Sequence, residues 1–280
     1  MKKCLLLGNG GREAVIAEFI SKGYSLYSVL PYENPSIVEA IEKSNGKYIV
    51  GSPFDKELVA NFIKEEEIEA CVVSSDNLLQ DGLIDLAKSL GLKVFGPTSK
   101  GAKIEWSKTY ALDIVKELRP EMVIKNFCIQ NENELEEAIK NYNDDEFVVK
   151  PEGLTGGKGV KVGGIHFKGK AEGYEYAKTC LNESGKVIIQ DKVEGEEFTV
   201  MALTDGEHIV VTPITFDYPY RYENDKGPGT GGMGCMSFAN GLLPFLDKSD
   251  VEKCASLIKD TINYINKDSK EFTGVIYGGF

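Results

Sequence analysis

At 280 residues the chain is longer than one typical core, which points to two or three compact units. A composition of 42% hydrophobic and 27% charged residues is that of an ordinary globular protein and excludes disorder as the default. The net charge of −12 argues against a nucleic-acid backbone or an anionic membrane as the main partner, while a small anionic substrate remains compatible with it, because local lysines and backbone amides set the field it meets.

The first hundred residues alternate apolar runs with helical periodicity. KCLLLG (3–8) reads as a buried strand, and GREAVIAEFISKG follows as a helix with Val15, Ile16, Phe19 and Ile20 at helical spacing and Gly23 as its C-cap. YSLYSVL (24–30) is a second strand, a helix starts near Pro35-Ser36, and Tyr48-Ile49-Val50 is a short third strand. A helix over 55–68, a strand over 70–74, a helix over 80–90 and a strand over 92–96 complete the unit. Strands alternating with helices call for a parallel sheet with right-handed crossovers.

Gly96-Pro97-Thr98 breaks the rhythm, a helical region runs to about Leu118, and Arg119-Pro120 reads as a linker. Residues 123–206 then read as a small α+β unit, with strands over 123–129, 147–150, 160–165 and 186–190 and helices over 132–140 and 170–183. The last unit has strands near 198–203 and 208–214, a long glycine loop, a helix at about 249–266 and a final apolar stretch, 274–280, that reads as a buried strand. Domains usually finish on polar residues, so this ending is taken as a sign of a polypeptide incomplete relative to its fold. Six scattered cysteines (Cys4, Cys71, Cys128, Cys180, Cys235, Cys254) without a C-x-x-C pair are expected as reduced thiols, and His166 and His208, each alone, do not suggest zinc. The apolar run after Met1-Lys2-Lys3 is too short for a signal segment and no window approaches a membrane span, so a soluble, cytoplasmic chain is expected.

The most informative stretch is FVVKPEGLTGGKGV (147–160), in which an apolar run delivers Lys150 into a loop with four glycines and Lys158. Backbone that wraps an anion closely needs residues without Cβ, and phosphates need N–H donors and ammonium groups. The layout fits a phosphate-covering lid or a glycine-rich hairpin without a ligand, and it is not a P-loop, since Gly159 follows Lys158. Gly8-Asn9-Gly10-Gly11-Arg12-Glu13, between the first strand and helix, is a second candidate phosphate site. As a dinucleotide fingerprint it fails, because residue 13 is Glu and the second strand runs into Leu30-Pro31-Tyr32-Glu33. IEWSK (104–108) places Glu105 and Lys108 at the junction of the first and second units. QDKVEGEEFTV (190–200) reads either as an exposed acidic turn or as a hinge whose backbone holds a base edge while a carboxylate accepts from ribose hydroxyls. NDKGPGTGGMG (224–234), with five glycines between strands, reads as a substrate-embracing loop.

In order and spacing, GNGGRE (8–13), VFGPT (94–98), IExSK (104–108), VVKxEGLxxGKGV (148–160), VEGEE (193–197), GPxTGGMG (227–234) and GVIYGG (274–279) resemble the phosphoribosylamine–glycine ligase (glycinamide ribonucleotide synthetase) family of ATP-grasp enzymes. The resemblance implies a mixed α/β and α+β chain: a Rossmann-like N-terminal domain over 1–100, a helical connection over 101–122, an ATP-grasp lid over 123–196 and an incomplete central ATP-grasp part over 197–280. It also implies ATP with Mg2+ or Mn2+, small-molecule substrates, and a carboxylate activated as an acyl phosphate and captured by an amine in purine synthesis. By that resemblance Lys108 and Lys150 contact ATP phosphates, and the lid over them includes Gly156, Gly157, Lys158 and Gly159. Gln190, Asp191 and Val193 line the adenine edge, and Glu197 holds the ribose. The substrate side comprises Gly8, Asn9, Gly10, Gly11, Arg12, Glu13, Asp76, Asp225, Gly227, Pro228, Thr230, Gly231, Gly232 and Met233, with Asp225 and Arg221 as catalytic candidates.

The chain departs from the family pattern at Ala14, at Ser74 and Ser75, at Trp106, at Pro219 and at Gly229, mostly on the substrate side. The family's metal carboxylate and asparagine would lie beyond Phe280, so no metal ligand is identified. The alternatives are a divergent ATP-grasp ligase with other substrates, a nucleotide-binding protein without catalysis, and half of a split ligase completed by a second polypeptide.

Overall fold

Five apolar runs pair into one parallel sheet: β1 (Lys3–Leu7), β2 (Ser25–Leu30), β3 (Lys47–Val50), β4 (Ala70–Val73) and β5 (Lys93–Phe95), in the order β3-β2-β1-β4-β5. The computed structural model describes residues 1–156, 159–224 and 226–280. These divide into two units, one of Met1–Lys103, Thr204–His208 and Ile265–Val275, the other of Ile104–Leu203, Ile209–Tyr264 and Ile276–Phe280.

In the first unit the sheet is covered on both faces, which is why its central strand β1 reads as a near-continuous apolar run rather than alternating. Leu5 and Leu7 pack with Val59, Phe62 and Ile84 from α3 (Lys56–Glu65) and α5 (Leu83–Ser89). Leu6, Leu26 and Leu30 pack on the other face with Ala17, Ile37 and Ile41 from α1 (Gly11–Ile20) and α2 (Pro35–Lys43). The helices start at legible caps: Asn34 accepts from Ser36 N ahead of Pro35, and Asp55 accepts from Leu58 N at 3.0 Å.

Two helix boundaries differ from expectation. Helix α1 stops at Ile20 with Ser21 as C-cap, and Gly23 instead donates to Ile20 O at 3.0 Å in a tightened final turn. The helix expected over 80–90 is α5, which starts later, at Leu83 after Gly82 at φ +86°, and a further short helix, α4 (Asp76–Gln80), precedes it. Later segments return to this unit: Thr98 donates to Glu271 through its amide (2.8 Å, to the carbonyl) and its hydroxyl (2.6 Å, to the carboxylate). Asn266 Nδ2 donates to Gly206 O and Phe272 O, each at 3.1 Å.

The second unit opens with α6 (Lys103–Trp106), α7 (Lys108–Leu118) and a 3₁₀ turn at Pro120–Met122 where a linker was expected. An antiparallel sheet follows in the order β6-β9-β7-β8, built from β6 (Asn126–Ile129), β7 (Phe147–Pro151), β8 (Lys161–Val162) and β9 (Val187–Asp191). Helices α8 (Glu132–Lys140) and α9 (Gly169–Ser184) cover one face, where Ile129, Phe147, Val149, Val187 and Ile189 meet Leu135, Ala138, Ala177 and Leu181. The period of two therefore sends Val148, Lys150, Ile188 and Gln190 to the other face. Strand β8 is shorter than the 160–165 expected. A Cβ on Gly163 would meet the Asp145 backbone at 2.7 Å, and Gly164 at φ +77° turns the chain so that His166 N donates to Val162 O.

The remainder forms a three-stranded sheet, β11-β10-β16, from β10 (Thr199–Thr204), β11 (Ile209–Val211) and β16 (Gly274–Gly279), and a helix α10 (Lys248–Ile265). The glycine loop expected over 224–234 contributes residues 226–229 to antiparallel ribbon: β12 (Phe216–Asp217) pairs with β15 (Cys235–Met236), and β13 (Tyr220–Tyr222) with β14 (Lys226–Gly229). Between them Thr230 N donates to Pro219 O and Met233 N to Tyr218 O, each at 2.8 Å. The final strand is not buried throughout. β16 is an edge strand whose side chains alternate, leaving Val275 45% and Tyr277 56% exposed.

Candidate functional site

The site in the second unit is built where β7 ends. Lys150 lies on the face of the lid sheet away from α8 and α9, sharing it with Gln190, which pairs with Val148 and is 5% exposed. Beyond β7, Glu152 reaches the N-terminus of α7: it accepts from Ser107 Oγ at 2.6 Å, from Thr109 N at 3.2 Å and from Thr109 Oγ1 at 3.3 Å. Ser107 is itself the N-cap, accepting from Tyr110 N at 3.2 Å. A carboxylate among free amide donors is favourable there, and it fixes Lys108, the first residue of α7, whose Nζ donates to Gly153 O at 2.6 Å.

Lys108 and Lys150 are thus half-buried and close enough to repel. Burial holds Lys150 below the usual lysine range, with Glu197 partly offsetting this and Lys108 adding to it. Burial likewise lowers Lys108, partly offset by Glu152 and Glu105. Two neighbouring ammonium groups whose charged forms burial disfavours, despite the carboxylates beside them, suit an anion. Glu197 stands beside the pair, and a Cβ on Gly279 would come within 3.1 Å of its Oε1, so that position suits glycine. Over the loop, Gly153 (φ +88°) and Gly156 (φ +58°) have open space around them, whereas Gly159 is packed against Pro151 and Thr155 and accepts from Tyr176 Oη at 2.7 Å.

Of the ATP-side residues named from sequence, Lys108, Lys150, Gly156, Gly159, Gln190 and Glu197 fall in this unit around one sheet face and its loop. Val193 is 62% exposed in the turn after β9. Asp191 pairs with Phe147, so its side chain points to the helix-covered face of the sheet. Gly157, Lys158 and Asp225 lie outside the described residues. Arg221 is exposed with its guanidinium over the Tyr222 ring at 5.9 Å. Gly227 takes φ +84° against that ring, while Pro228, Thr230, Gly231, Gly232 and Met233 run along the ribbon. Sequence reading missed Glu152; its place inside the VVKxEG motif was the available signal, but its partners stand 43 to 45 residues earlier.

In the first unit Gly8, Asn9, Gly10, Gly11, Arg12 and Glu13 gather at the end of β1, and Asp76 starts α4 after β4. Here the loop's inner side is taken by its own carboxylate. Glu13, 4% exposed, accepts from Gly10 N at 2.7 Å, from Arg12 Nε at 3.1 Å and from Ser74 Oγ, while Arg12 Nη2 donates to Ser74 O. A Cβ on Gly8 would lie 2.5 Å from Glu13 Cγ, so this glycine makes room for a side chain of the chain itself. Burial pulls the Glu13 carboxyl up, but the bonds from Ser74, Arg12 and Gly10 outweigh it and hold it below the usual range.

Among the described residues no group of three or more His, Cys, Asp or Glu is placed to hold a metal ion, and no helix is long and apolar enough to cross a membrane.

The family model for the phosphoribosylglycinamide synthetase N domain matches residues 2–105, and that for the phosphoribosylglycinamide synthetase ATP-grasp (A) domain matches residues 106–280. The chain belongs to the phosphoribosylglycinamide synthetase family. Phosphoribosylamine–glycine ligases of Methanopyrus kandleri and Pyrococcus furiosus are 39% and 36% identical over all of this chain, which spans 63% of the length of each. A crystal structure of the ligase from Thermotoga maritima matches with a TM-score of 0.76 at 27% identity, over 99% of this chain and 64% of that one. The biotin carboxylase domain of the Hydrogenobacter thermophilus 2-oxoglutarate carboxylase matches at 0.71 and 16% identity, over 100% of this chain and 61% of that one, a likeness of fold. The synthetase-family chain is therefore α/β with a parallel-sheet N-terminal domain, followed by an ATP-grasp fold.

Proposed function

We propose that this chain is the nucleotide-binding part of a cytoplasmic ATP-dependent ligase that joins a carboxylate, glycine, to an amine, 5-phosphoribosylamine, through an acyl phosphate in purine biosynthesis. The observation that carries the reading is the pair Lys108, at the start of α7, and Lys150, near the end of β7, both depressed by burial, with Lys108 depressing Lys150 further. A polyphosphate placed between them would relieve both costs.

In this reading Lys108 and Lys150 hold phosphate oxygens, the Gly153–Gly159 segment closes over them, the backbone of Gln190–Val193 meets the base, and Glu197 accepts from the ribose. Catalysis then comes chiefly from position and charge: a carboxylate oxygen attacks the γ-phosphorus, ADP leaves, and the amine displaces phosphate from the acyl carbon. No group of three or more His, Cys, Asp or Glu among the described residues is placed to hold a metal, and Mg2+ or Mn2+ would be held largely by the phosphates. The identities of the matched relatives support the substrates named.

A second reading, a family member with another carboxylate or amine, is favoured by the closed net of Arg12, Glu13 and Ser74 on the substrate side. Calorimetric titration with MgATP and with Mg-AMP-PNP tests the nucleotide assignment; absence of heat with both overturns it. Phosphate release with glycine and phosphoribosylamine, against other carboxylate–amine pairs, separates the two substrate readings.

A further inference from the structure

On the helix-covered face of the lid sheet, behind the strand end that leads into the hinge, lies a cavity of about 390 Å³ lined in part by Lys125, Tyr142, Glu146, Asp191 and Lys192. Two of its polar groups are orphaned. Tyr142 is 6% exposed, and its Oη, like Asp191 Oδ1, is buried without a hydrogen-bond partner among the described residues. Neighbouring groups are already engaged: Lys192 Nζ donates to Gly163 O at 3.0 Å, Asp145 Oδ1 accepts from Gly169 N at 2.7 Å and Glu146 Oε2 from Asn143 Nδ2 at 2.7 Å. Lys125 Nζ lies over the rings of Phe127 and Tyr142, at 5.7 and 5.8 Å.

A buried phenol and a buried carboxylate oxygen left unpaired each carry a desolvation cost, and the bond that would remove both is the charge-assisted one from O–H to O⁻. The phenol is kept in its donor form, since burial and then the Asp191 carboxylate push its titration well above the usual tyrosine range. Asp191 is also the residue at which sheet becomes hinge: its amide donates to Lys125 O at 2.9 Å, and that of Lys192 to Glu146 O at 3.0 Å. Whatever fixes the Asp191 side chain therefore fixes the first peptide groups of the hinge.

We propose that Tyr142 is a positioning residue: its hydroxyl donates to the Asp191 carboxylate at the cavity wall and sets the hinge backbone on which the nucleotide base rests. The inference rests on the nucleotide reading above for its functional consequence, but the hold on Asp191 can be measured without nucleotide.

Tyr142→Phe keeps the ring packed against Phe127 and Phe147 and removes only the hydroxyl. Hydrogen exchange on the whole chain without nucleotide should show the amides of 191–193 exchanging about tenfold faster, with those of β6 and β7 unchanged. In calorimetric titration with MgADP the Kd should rise about three- to tenfold. Asp191→Asn should do the same, and the double variant should be no worse than the worse single one. Unchanged hinge exchange, loosening spread evenly over the sheet, or additive losses in the double variant would each overturn the proposal. If the parent chain fails to bind MgADP, the nucleotide reading falls, and the exchange result still decides whether Tyr142 holds Asp191.

Discussion

The two glycine-rich turns of this molecule look alike on paper and are built for opposite ends. In the first unit, Gly8 and Gly10 clear space for Glu13, whose carboxylate is paired with Gly10 N, Arg12 and Ser74. In the second, Gly153 and Gly156 face open space beside two buried lysines that repel each other. Glycine count does not distinguish a phosphate cradle from a satisfied turn. What the chain itself places there does: the first turn is filled by its own hydrogen-bonded carboxylate, whereas the second holds two ammonium groups whose charged forms burial disfavours.

The largest effect that follows concerns Lys150. Lys150→Met should weaken MgATP binding by roughly 1.5–3 kcal/mol, the loss of a charge-assisted contact, read by calorimetry. The same variant should raise the melting temperature at pH 7. Because the folded-state titration of Lys150 lies below its ordinary value of 10.5, its charged form is disfavoured by folding. That penalty is fully present below the folded value and fades as pH rises through it, so removing the ammonium stabilises the neutral-pH protein. Lower affinity with a lower melting temperature would mean that the lysine is structural and the contrast between the turns is wrong.

Glu13→Gln probes the other turn and should act with the opposite sign on stability. The amide cannot accept from Gly10, Arg12 and Ser74 together, so about 1–2 kcal/mol of stability in the first unit should be lost, with MgATP affinity unchanged. The pH signature sharpens this. A carboxyl held below its usual 4.5 contributes stability that is complete above that value and is lost as pH falls through the lower folded one. Denaturant titrations between pH 3 and pH 7 should show this acid-side slope in the parent and a shallower one in Glu13→Gln.

What could be read from the sequence follows from how local each feature is. The parallel sheet was legible because a strand covered on both faces writes itself as a continuous apolar run, as KCLLL does at β1. Motif order singled out Lys108 and Lys150 as phosphate candidates, and the family match agrees with the resemblance on which that order rested. The shortness of β8 was not legible, because it is set by the Asp145 backbone pressing on Gly163. Nor was the ribbon inside the glycine loop, whose pairing runs through the carbonyls of Tyr218 and Pro219, the latter also accepting from the Thr230 hydroxyl. Glu152 and Tyr142 escaped for the same reason: the chemistry of each lies in partners from another element, and no local pattern marks them.

Glu152→Ala tests whether the second turn is organised from α7. Loss of a carboxylate at a helix N-terminus should cost about 1 kcal/mol of stability. With Thr109 N and Ser107 Oγ released, Lys108 loses its fixed origin, and MgATP affinity should fall severalfold while that of Lys150→Met is little worsened by the addition. Independent, fully additive losses in the double variant would show that Glu152 caps the helix without ordering the lysine pair.

The smallest effect separates a loop that merely turns from one that must move. Gly156 sits at φ +58° with nothing among the described residues within 4 Å of where a Cβ would stand, so alanine there meets only the left-handed backbone cost, about 1–2 kcal/mol. If the Gly153–Gly159 segment closes over phosphates, that cost is paid differently in the open and closed forms, and Gly156→Ala should change the rate of MgATP association more than the melting temperature, which stopped-flow binding and thermal denaturation read separately. At Gly8 the same substitution should behave in reverse: at φ +132°, with Glu13 Cγ 2.5 Å from the added carbon, it would lower stability and leave the association rate alone. Equal effects of the two alanines on both readouts would erase the distinction between a cradle and a satisfied turn.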